Sequence, residues 1–498
     1  MAVSLANRAV RGAAWTITTS ISTRALGLVG TLLLVRYLSP DEYGIASAAA
    51  VLVMTANQFS TLGVGWYIIA HPKSGRAAVF HATVIHLSLG VLALAGVVMF
   101  SGKFGPWLDA PTLSRFVPGL ALASLADRIT FIPERVLVRD MRFGRIASAR
   151  SAGEILYTLA SVAAAMSGWG GYSIVVGNLA RSVGRMVLMV SAAPRREWLE
   201  VTPISGPMMR AITGYGVVLS VSGVASMAAR RWDNLLVSHY FGPSVMGAYN
   251  LAYNLADIPA VQVGEQVTDI LVASFVQMEP KRRPQALLRA FGLLGLIMFP
   301  LAVGLGTIAP TVVKAAFRDR WAEVGPMLMI LSVLSVPRPL SGALGAYLQA
   351  RHRQKRQMVI DLAQLAVLMG AIAAVGKIGP LWACVAVGAV FSARTFANLV
   401  EVKILDALPV RDFLVRLAPP LAACLPMVAA VLGTRYGLHA LGLRSAVIGL
   451  CLETTAGAIA YVLGALVIAR SASRELIALG RRALHRGEDQ EPEPKAAA

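Results

Sequence analysis

Residues 32–44 read Leu-Leu-Leu-Val-Arg-Tyr-Leu-Ser-Pro-Asp-Glu-Tyr-Gly. An apolar run stops at Ser39-Pro40-Asp41-Glu42 and another starts directly after it. Pro and Gly bracket a tight turn where the chain leaves one run and enters the next. The pattern returns 203 residues later, where 235–247 read Leu-Leu-Val-Ser-His-Tyr-Phe-Gly-Pro-Ser-Val-Met-Gly, identical at Leu, Leu, Tyr, Pro and Gly. Both copies end an odd-numbered apolar stretch, so the repeats run parallel and each holds six stretches.

Outward from these copies, stretches long enough to cross a bilayer fall near 13–35, 44–66, 77–100, 113–132, 146–167, 171–193, 213–236, 244–275, 286–309, 323–348, 358–376, 380–400, 414–434 and 446–469. The 498 residues are 56% hydrophobic and 14% charged, against roughly 45–50% and about 25% in soluble proteins, and mean hydropathy is +0.64. A soluble globule is excluded. The expected fold is all-α: a polytopic integral membrane protein of about 14 transmembrane helices, as two pseudo-symmetric six-helix lobes plus two C-terminal helices. The expected divisions are an N-lobe over 1–200, a C-lobe over 201–408, two additional helices over 409–470, and a cytoplasmic tail over 471–498 whose acids and prolines predict disorder. Transporters with two such lobes hold their substrate between them near the midplane.

The chain carries 46 Lys and Arg against 26 Asp and Glu, a net charge of +20. With the N-terminus in the cytoplasm, 28 of the 46 fall in cytoplasmic segments, nine in opposite loops and nine inside spans. This is the positive-inside pattern, with both termini cytoplasmic and the chain in the cytoplasmic (inner) membrane, and it accounts for the excess without nucleic acid. Clusters such as Arg135/Arg139/Arg142/Arg145 and Arg351/Arg353/Lys355/Arg356 read as orienting charges that meet lipid headgroups. The outer loop Lys314–Trp321 is basic and aromatic and suits a short interfacial helix. The basic, then apolar, N-terminus continues to Val35 without a cleavage site and reads as the first span. Cys384, Cys424 and Cys451 lie far apart in apolar runs, so neither a disulfide nor a zinc site is expected. Loops are short, and no phosphate-binding loop, nucleophile elbow or metal-protease helix occurs. No enzyme activity, cofactor or metal is expected.

What remains is charge inside the bilayer. Arg24 lies about 16 Å along the first span, near its middle, in a helix rich in Thr and Ser. A central arginine is costly and faces a cavity or a buried acid. Arg230 and Arg231 point about 100° apart, so one faces the cavity and the other pairs with Asp233 or Asp257. Asp127-Arg128 reads either as a local charge pair or as a cavity element. Arg181 and Arg185 share one helix face in the cytoplasmic half, where snorkelling is cheap, and Arg338 and Arg394 are similarly ambiguous. Asp257, Glu265 and Asp269 lie within about 120° of each other around the eighth span, either as counter-ions for arginine or as carriers of a coupling ion. The substrate-binding candidates are therefore Arg24, Arg128, Arg230, Arg231 and Asp233, with Asp257, Glu265 and Asp269 for ion coupling. Arginine's planar fork matches phosphate oxygens, so a diphosphate headgroup is an apt cargo.

Gly12-Ala13-Ala14-Trp15 with Val35–Gly44, Ile132-Pro133-Glu134 with Arg139–Phe143, and Arg231–Leu236 with Gly247–Tyr253 resemble the polysaccharide transporter family of Wzx-type flippases, in the multidrug/oligosaccharidyl-lipid/polysaccharide superfamily. The resemblance implies alternating access through a cationic cavity and export of polyprenyl-diphosphate-linked oligosaccharide for surface polysaccharide (O-antigen, exopolysaccharide or capsule). It also implies contact with membrane lipid and with polysaccharide polymerase and chain-length machinery. Ser238-His239 departs from the Gly and basic residue expected there. Two competing readings share the architecture: an ion-coupled multidrug exporter, which wants acids to dominate the cavity, and a peptidoglycan-precursor lipid flippase.

Overall fold

A computed structural model describes residues 27, 29–71, 75–140, 142–317, 319–443 and 445–478. Among them there is no strand, and the helices cover every expected span from the second to the fourteenth. They are α1 (Pro40–Phe59), α2 (Val64–Ala70), α3 (Gly75–Trp107), α4 (Val117–Arg139), α5 (Phe143–Met166), α6 (Tyr172–Ala192), α7 (Gly206–Gln277), α8 (Arg283–Ala316), α9 (Val324–Val333), α10 (Pro337–Ala350), α11 (Gln354–Val375), α12 (Pro380–Asp406), α13 (Val410–Ala422), α14 (Cys424–Ala440) and α15 (Ala446–Ile468). Exposed Leu452, Val462, Leu463 and Val467 show α15 to be apolar on its outward faces. Only lipid accommodates such a surface, and the chain is a polytopic membrane protein.

The motif at 39–44 builds the start of α1. The Ser39 hydroxyl accepts a hydrogen bond from the Glu42 amide at 3.2 Å, while the Glu42 carboxylate accepts from the Ser39 amide at 3.0 Å. Pro40 holds the first helical position, and Asp41 and Glu42 put negative charge at the helix N-terminus. The second copy reaches the same end differently. α7 runs for 72 residues and is interrupted at Gly242, whose φ of 82° only glycine adopts without strain. Pro243 then restarts the helix, so two spans follow one another with no loop.

The two copies meet. A β-carbon on Gly44 would stand 1.9 Å from the Pro243 carbonyl oxygen, and one on Gly247 would stand 2.0 Å from that of Pro40. Lipid offers no hydrophobic drive between helices, so close backbone approach at small residues is what joins them.

The chain packs as two compact units. One comprises residues up to 252 with 316–327 and 361–390, and the other 253–315, 328–360 and 391 onward. In the first, Val79, Ile85, Ile132, Val136, Ile146 and Met189 form a core that ties α3, α4, α5 and α6 together. Here too the loop 314–321 departs from the interfacial helix expected of it. Trp321 is 1% exposed, donates to the Val35 carbonyl at 3.0 Å and packs edge-on against Tyr43, while Arg320 donates to the Arg36 carbonyl at 2.8 Å. Its basic and aromatic residues cap the end of the first span, whose last carbonyls have no helical donor.

In the second unit the tenth span is broken. α9 ends at Val333 and α10 restarts at Pro337, with Leu334–Val336 turning between them. α14 and α15 are joined by a buried ion pair. Arg435 Nε and one terminal nitrogen bind Glu453 at 3.0 and 2.8 Å, and the Thr311 hydroxyl of α8 donates to the same carboxylate.

Candidate functional site

α4 is apolar except along one face. Asp127, Arg128, Phe131, Glu134 and Arg135 recur at helical spacing, and all five line a cavity of about 320 Å³ inside the first unit. His86 of α3, Asn57 and Gln58 of α1, Thr61, Arg185 of α6 and Ser220 of α7 complete the polar part of its wall.

Arg128 is 1% exposed, and all five of its N–H groups are engaged. Nε donates to the Asn57 side chain at 2.6 Å, and one terminal nitrogen donates to the His86 carbonyl at 2.7 Å and the Ser60 carbonyl at 3.5 Å. The other donates to the Asn57 carbonyl and the Ser60 hydroxyl. The side chain thus closes the C-terminal end of α1, where carbonyls lack helical donors and a positive charge meets the negative pole of the helix. It passes α3 at Gly90, where a β-carbon would lie 2.1 Å from Arg128 Cδ. Arg128 is a fixed part of the wall.

Asp127 does not pair with Arg128, because neighbours on a helix diverge. It faces α6, where it accepts from the Ser182 hydroxyl at 2.9 Å and lies 3.5 Å from Arg185. Arg185 also reaches Glu134 at 3.2 Å, and Glu134 binds Arg150 of α5 at 2.6 Å. Four residues back, Arg181 lies 3.7 Å from Glu154 and over the Tyr157 ring at 5.3 Å. The local alternative for Asp127-Arg128 therefore gives way to a ladder of charges across three helices. Arg135 lies over the Phe131 ring at 4.7 Å. Three arginines and two carboxylates in the lining leave the cavity net positive.

Glu134 and Arg135 are the residues that sequence reasoning missed. Arg135 was absorbed into a basic cluster that orientation explains, yet the i, i+1, i+4, i+7, i+8 spacing of 127, 128, 131, 134 and 135 marks one polar face on a membrane helix.

The sequence model of a family described as "Polysaccharide biosynthesis protein" matches residues 33–326, more than half of the chain. The chain belongs to this polysaccharide biosynthesis protein family. The succinoglycan biosynthesis transport protein ExoT of Rhizobium meliloti (strain 1021) is 24% identical to it over 494 residues, covering 96% of each chain. The lipopolysaccharide biosynthesis protein WzxC of Escherichia coli (strain K12) is 22% identical over 356 residues, 70% of this chain and 72% of WzxC. Among solved structures, the lipid II flippase MurJ in an inward closed conformation superposes with a TM-score of 0.72 at 14% identity, over 92% of this chain and 99% of MurJ. That likeness is one of fold.

In this polysaccharide biosynthesis protein the other candidates of the first unit, Arg230, Arg231 and Asp233, are not among the residues that line the cavity. Arg24 lies outside the described residues, as do the side chains of Glu265 and Asp269. Arg230 is exposed and Arg231 half-buried. Asp233 is fully buried and accepts from the Tyr249 hydroxyl at 2.6 Å and from the Asn234 amide at 2.9 Å, bridging the two arms of α7 on either side of Gly242. Ser238 and His239 dock on the turn after α3, bonding the carbonyls of Leu108 and Trp107 at 2.9 and 2.6 Å. In the second unit Asp257 is the counter-ion of Arg338, at 2.5 Å, and the guanidinium lies 4.4 Å from the Tyr253 ring and 4.2 Å from that of Phe391. Arg338 sits where α10 restarts after the break in the tenth span.

Proposed function

We propose that this protein is a flippase that moves polyprenyl-diphosphate-linked oligosaccharide across the cytoplasmic membrane by alternating access, for surface polysaccharide assembly. The observation that carries the reading is the net-positive cavity of about 320 Å³ in an all-α membrane frame. The family match and the similarity to ExoT and WzxC, which are named for polysaccharide biosynthesis, support it.

The chemistry divides between the arginines. Arg128 has every donor engaged and holds α1 and α3 in place. Arg185 and Arg135 meet the anion. With Arg185 held between Asp127 and Glu134, a diphosphate competes for a guanidinium that is already desolvated and aimed, and the two carboxylates return it to its resting position when cargo leaves. Arg24, Arg230 and Arg231 are the further candidates for contact with cargo, Asp233 holds the two arms of α7 together, and Asp257, Glu265 and Asp269 are the candidates for a coupling ion. The prenyl tail stays in lipid while the head crosses between the N-lobe of residues 1–200 and the C-lobe of residues 201–408. Residues 409–470 add two further spans, both termini face the cytoplasm, and the polysaccharide polymerase and chain-length machinery are the protein partners.

Depletion of the protein tests the reading, with mass analysis of lipid-linked sugars on each leaflet. Polyprenyl-diphosphate oligosaccharide should accumulate on the cytoplasmic side. Unchanged lipid-linked pools with normal surface polysaccharide would overturn it.

A further inference from the structure

α13 carries two consecutive prolines, Pro419 and Pro420, inside the helix. Proline has no N–H to give the carbonyl four residues back, so the carbonyls of Val415 and Arg416 lose their intrahelical donors. Both residues line a second cavity, of about 200 Å³, in the second unit. Arg289 of α8 forms another wall. The last comes from the chain after α15, which turns at Ala469 and forms a further helical segment over 470–478 that contributes Ser471 and Glu475. Ser473 ties this segment back by donating to the Ala465 carbonyl at 3.0 Å.

Arg289 and Arg416 are both exposed. Neither side chain has an ion-pair, hydrogen-bond or aromatic partner among the described residues. Around them Leu414 and Val415 are each 59% exposed, and Leu476 and Ile477 are exposed as well. Unpaired arginines beside outward-facing large apolar side chains, at the ends of three spans, make a surface built for the level where headgroups meet acyl chains. The lining is chemically mixed: two guanidinium forks that seek phosphate oxygens, two carbonyls that seek hydrogen-bond donors, and the Glu475 carboxylate, which leaves the wall with one net positive charge.

We propose that this cavity binds the headgroup of an anionic phospholipid of the cytoplasmic leaflet. Arg289 and Arg416 take the phosphodiester oxygens, and the carbonyls of Val415 and Arg416 accept from headgroup hydroxyls. A glycerol phosphodiester supplies both. The bound lipid ties α8, α13 and the segment after α15 together, at a place where no carboxylate among the described residues pairs with either arginine.

The test uses full-length protein purified in detergent and titrated with phosphatidylglycerol, read by native mass spectrometry and by the lipid-dependent rise in melting temperature. The double variant R289A/R416A should bind about thirtyfold more weakly, since each cation near a membrane surface contributes roughly a factor of five. It should also lose the rise in melting temperature while melting as wild type does in phosphatidylcholine. R289K/R416K keeps both charges and should retain most of the binding, and K377A, in the exposed turn after α11, should leave it unchanged. Equal binding of phosphatidylcholine would overturn the proposal, as would undiminished binding in R289A/R416A. So would displacement of phosphatidylglycerol by an equal concentration of polyprenyl phosphate or inorganic phosphate.

Discussion

Gly44 and Gly247 touch backbone to backbone, and each leaves the space of a side chain to the proline four residues before the other. They are equivalent positions of the sequence repeat, so the contact is reciprocal. A β-carbon on either meets a carbonyl oxygen at about van der Waals overlap, and neither helix can retreat without moving the other. Gly44→Ala and Gly247→Ala should each lower stability by about 2 kcal/mol, and similarly to one another. Gly96→Ala, on α3 with nothing within 4 Å, should leave stability unchanged or raise it. Thermal unfolding in detergent measures all three, and a tolerated Gly44→Ala would refute the contact.

Arg128 reaches its partners only because Gly90 lets it pass. Gly90→Ala should displace the guanidinium and leave the carbonyls at the end of α1 without donors, at a cost of about 1–3 kcal/mol. Arg128→Lys should cost a comparable amount, because one ammonium cannot serve five acceptors in a fixed fork. Polysaccharide export should fall together with the melting temperature in both variants. Export lost at full stability would instead assign Arg128 a direct role with cargo.

Arg185 stands between two carboxylates. Its removal in Arg185→Ala leaves Asp127 and Glu134 short of a counter-ion in a largely buried place, which costs about 3 kcal/mol. Arg185→Ala/Asp127→Asn should recover part of that stability and none of the export. A double variant that regains export would show the arginine to be structural only.

How much of this could be read from the chain differs by kind of feature. The spans were legible because a bilayer crossing needs a long apolar run, and that is a property of consecutive residues. The repeat was legible because Pro and Gly at the same register impose the same turn. The cavity was not, since its partners come from α1, α3, α4 and α6 and depend on how each helix is rotated. Asp127 and Arg128 are adjacent in sequence and turn to different neighbours. Arg135 was hidden by company: in a run of four arginines near a membrane end, orientation explains every member equally. Trp321 misled in the other direction, since a basic, aromatic outer loop has the composition of an interfacial helix and here serves as a lid on Val35.

The pair Arg435 and Glu453 offers a test of stability apart from transport. Glu453 is 2% exposed, and Glu453→Ala strands a partly buried arginine, so a loss of about 3 kcal/mol is expected. Replacing both, as Arg435→Met/Glu453→Leu, should restore most of it, because well-packed apolar residues often match a buried ion pair. Export by that double variant should equal wild type, measured as surface polysaccharide. A double variant as unstable as Glu453→Ala would show that the pair does more than hold α14 and α15 together.

The hydrogen bond from Trp321 to the Val35 carbonyl spans 286 residues. During synthesis at about 5–20 residues per second, roughly 15–60 s pass between the emergence of the acceptor and that of its donor. Throughout that interval the first span is in the membrane with its C-terminal end uncapped and the side of Tyr43 uncovered. The N-terminal unit therefore cannot mature as it is made. It is finished from behind, by a segment that arrives after eight further spans, and a chaperone or insertase that shelters the early helices has that long in which to act.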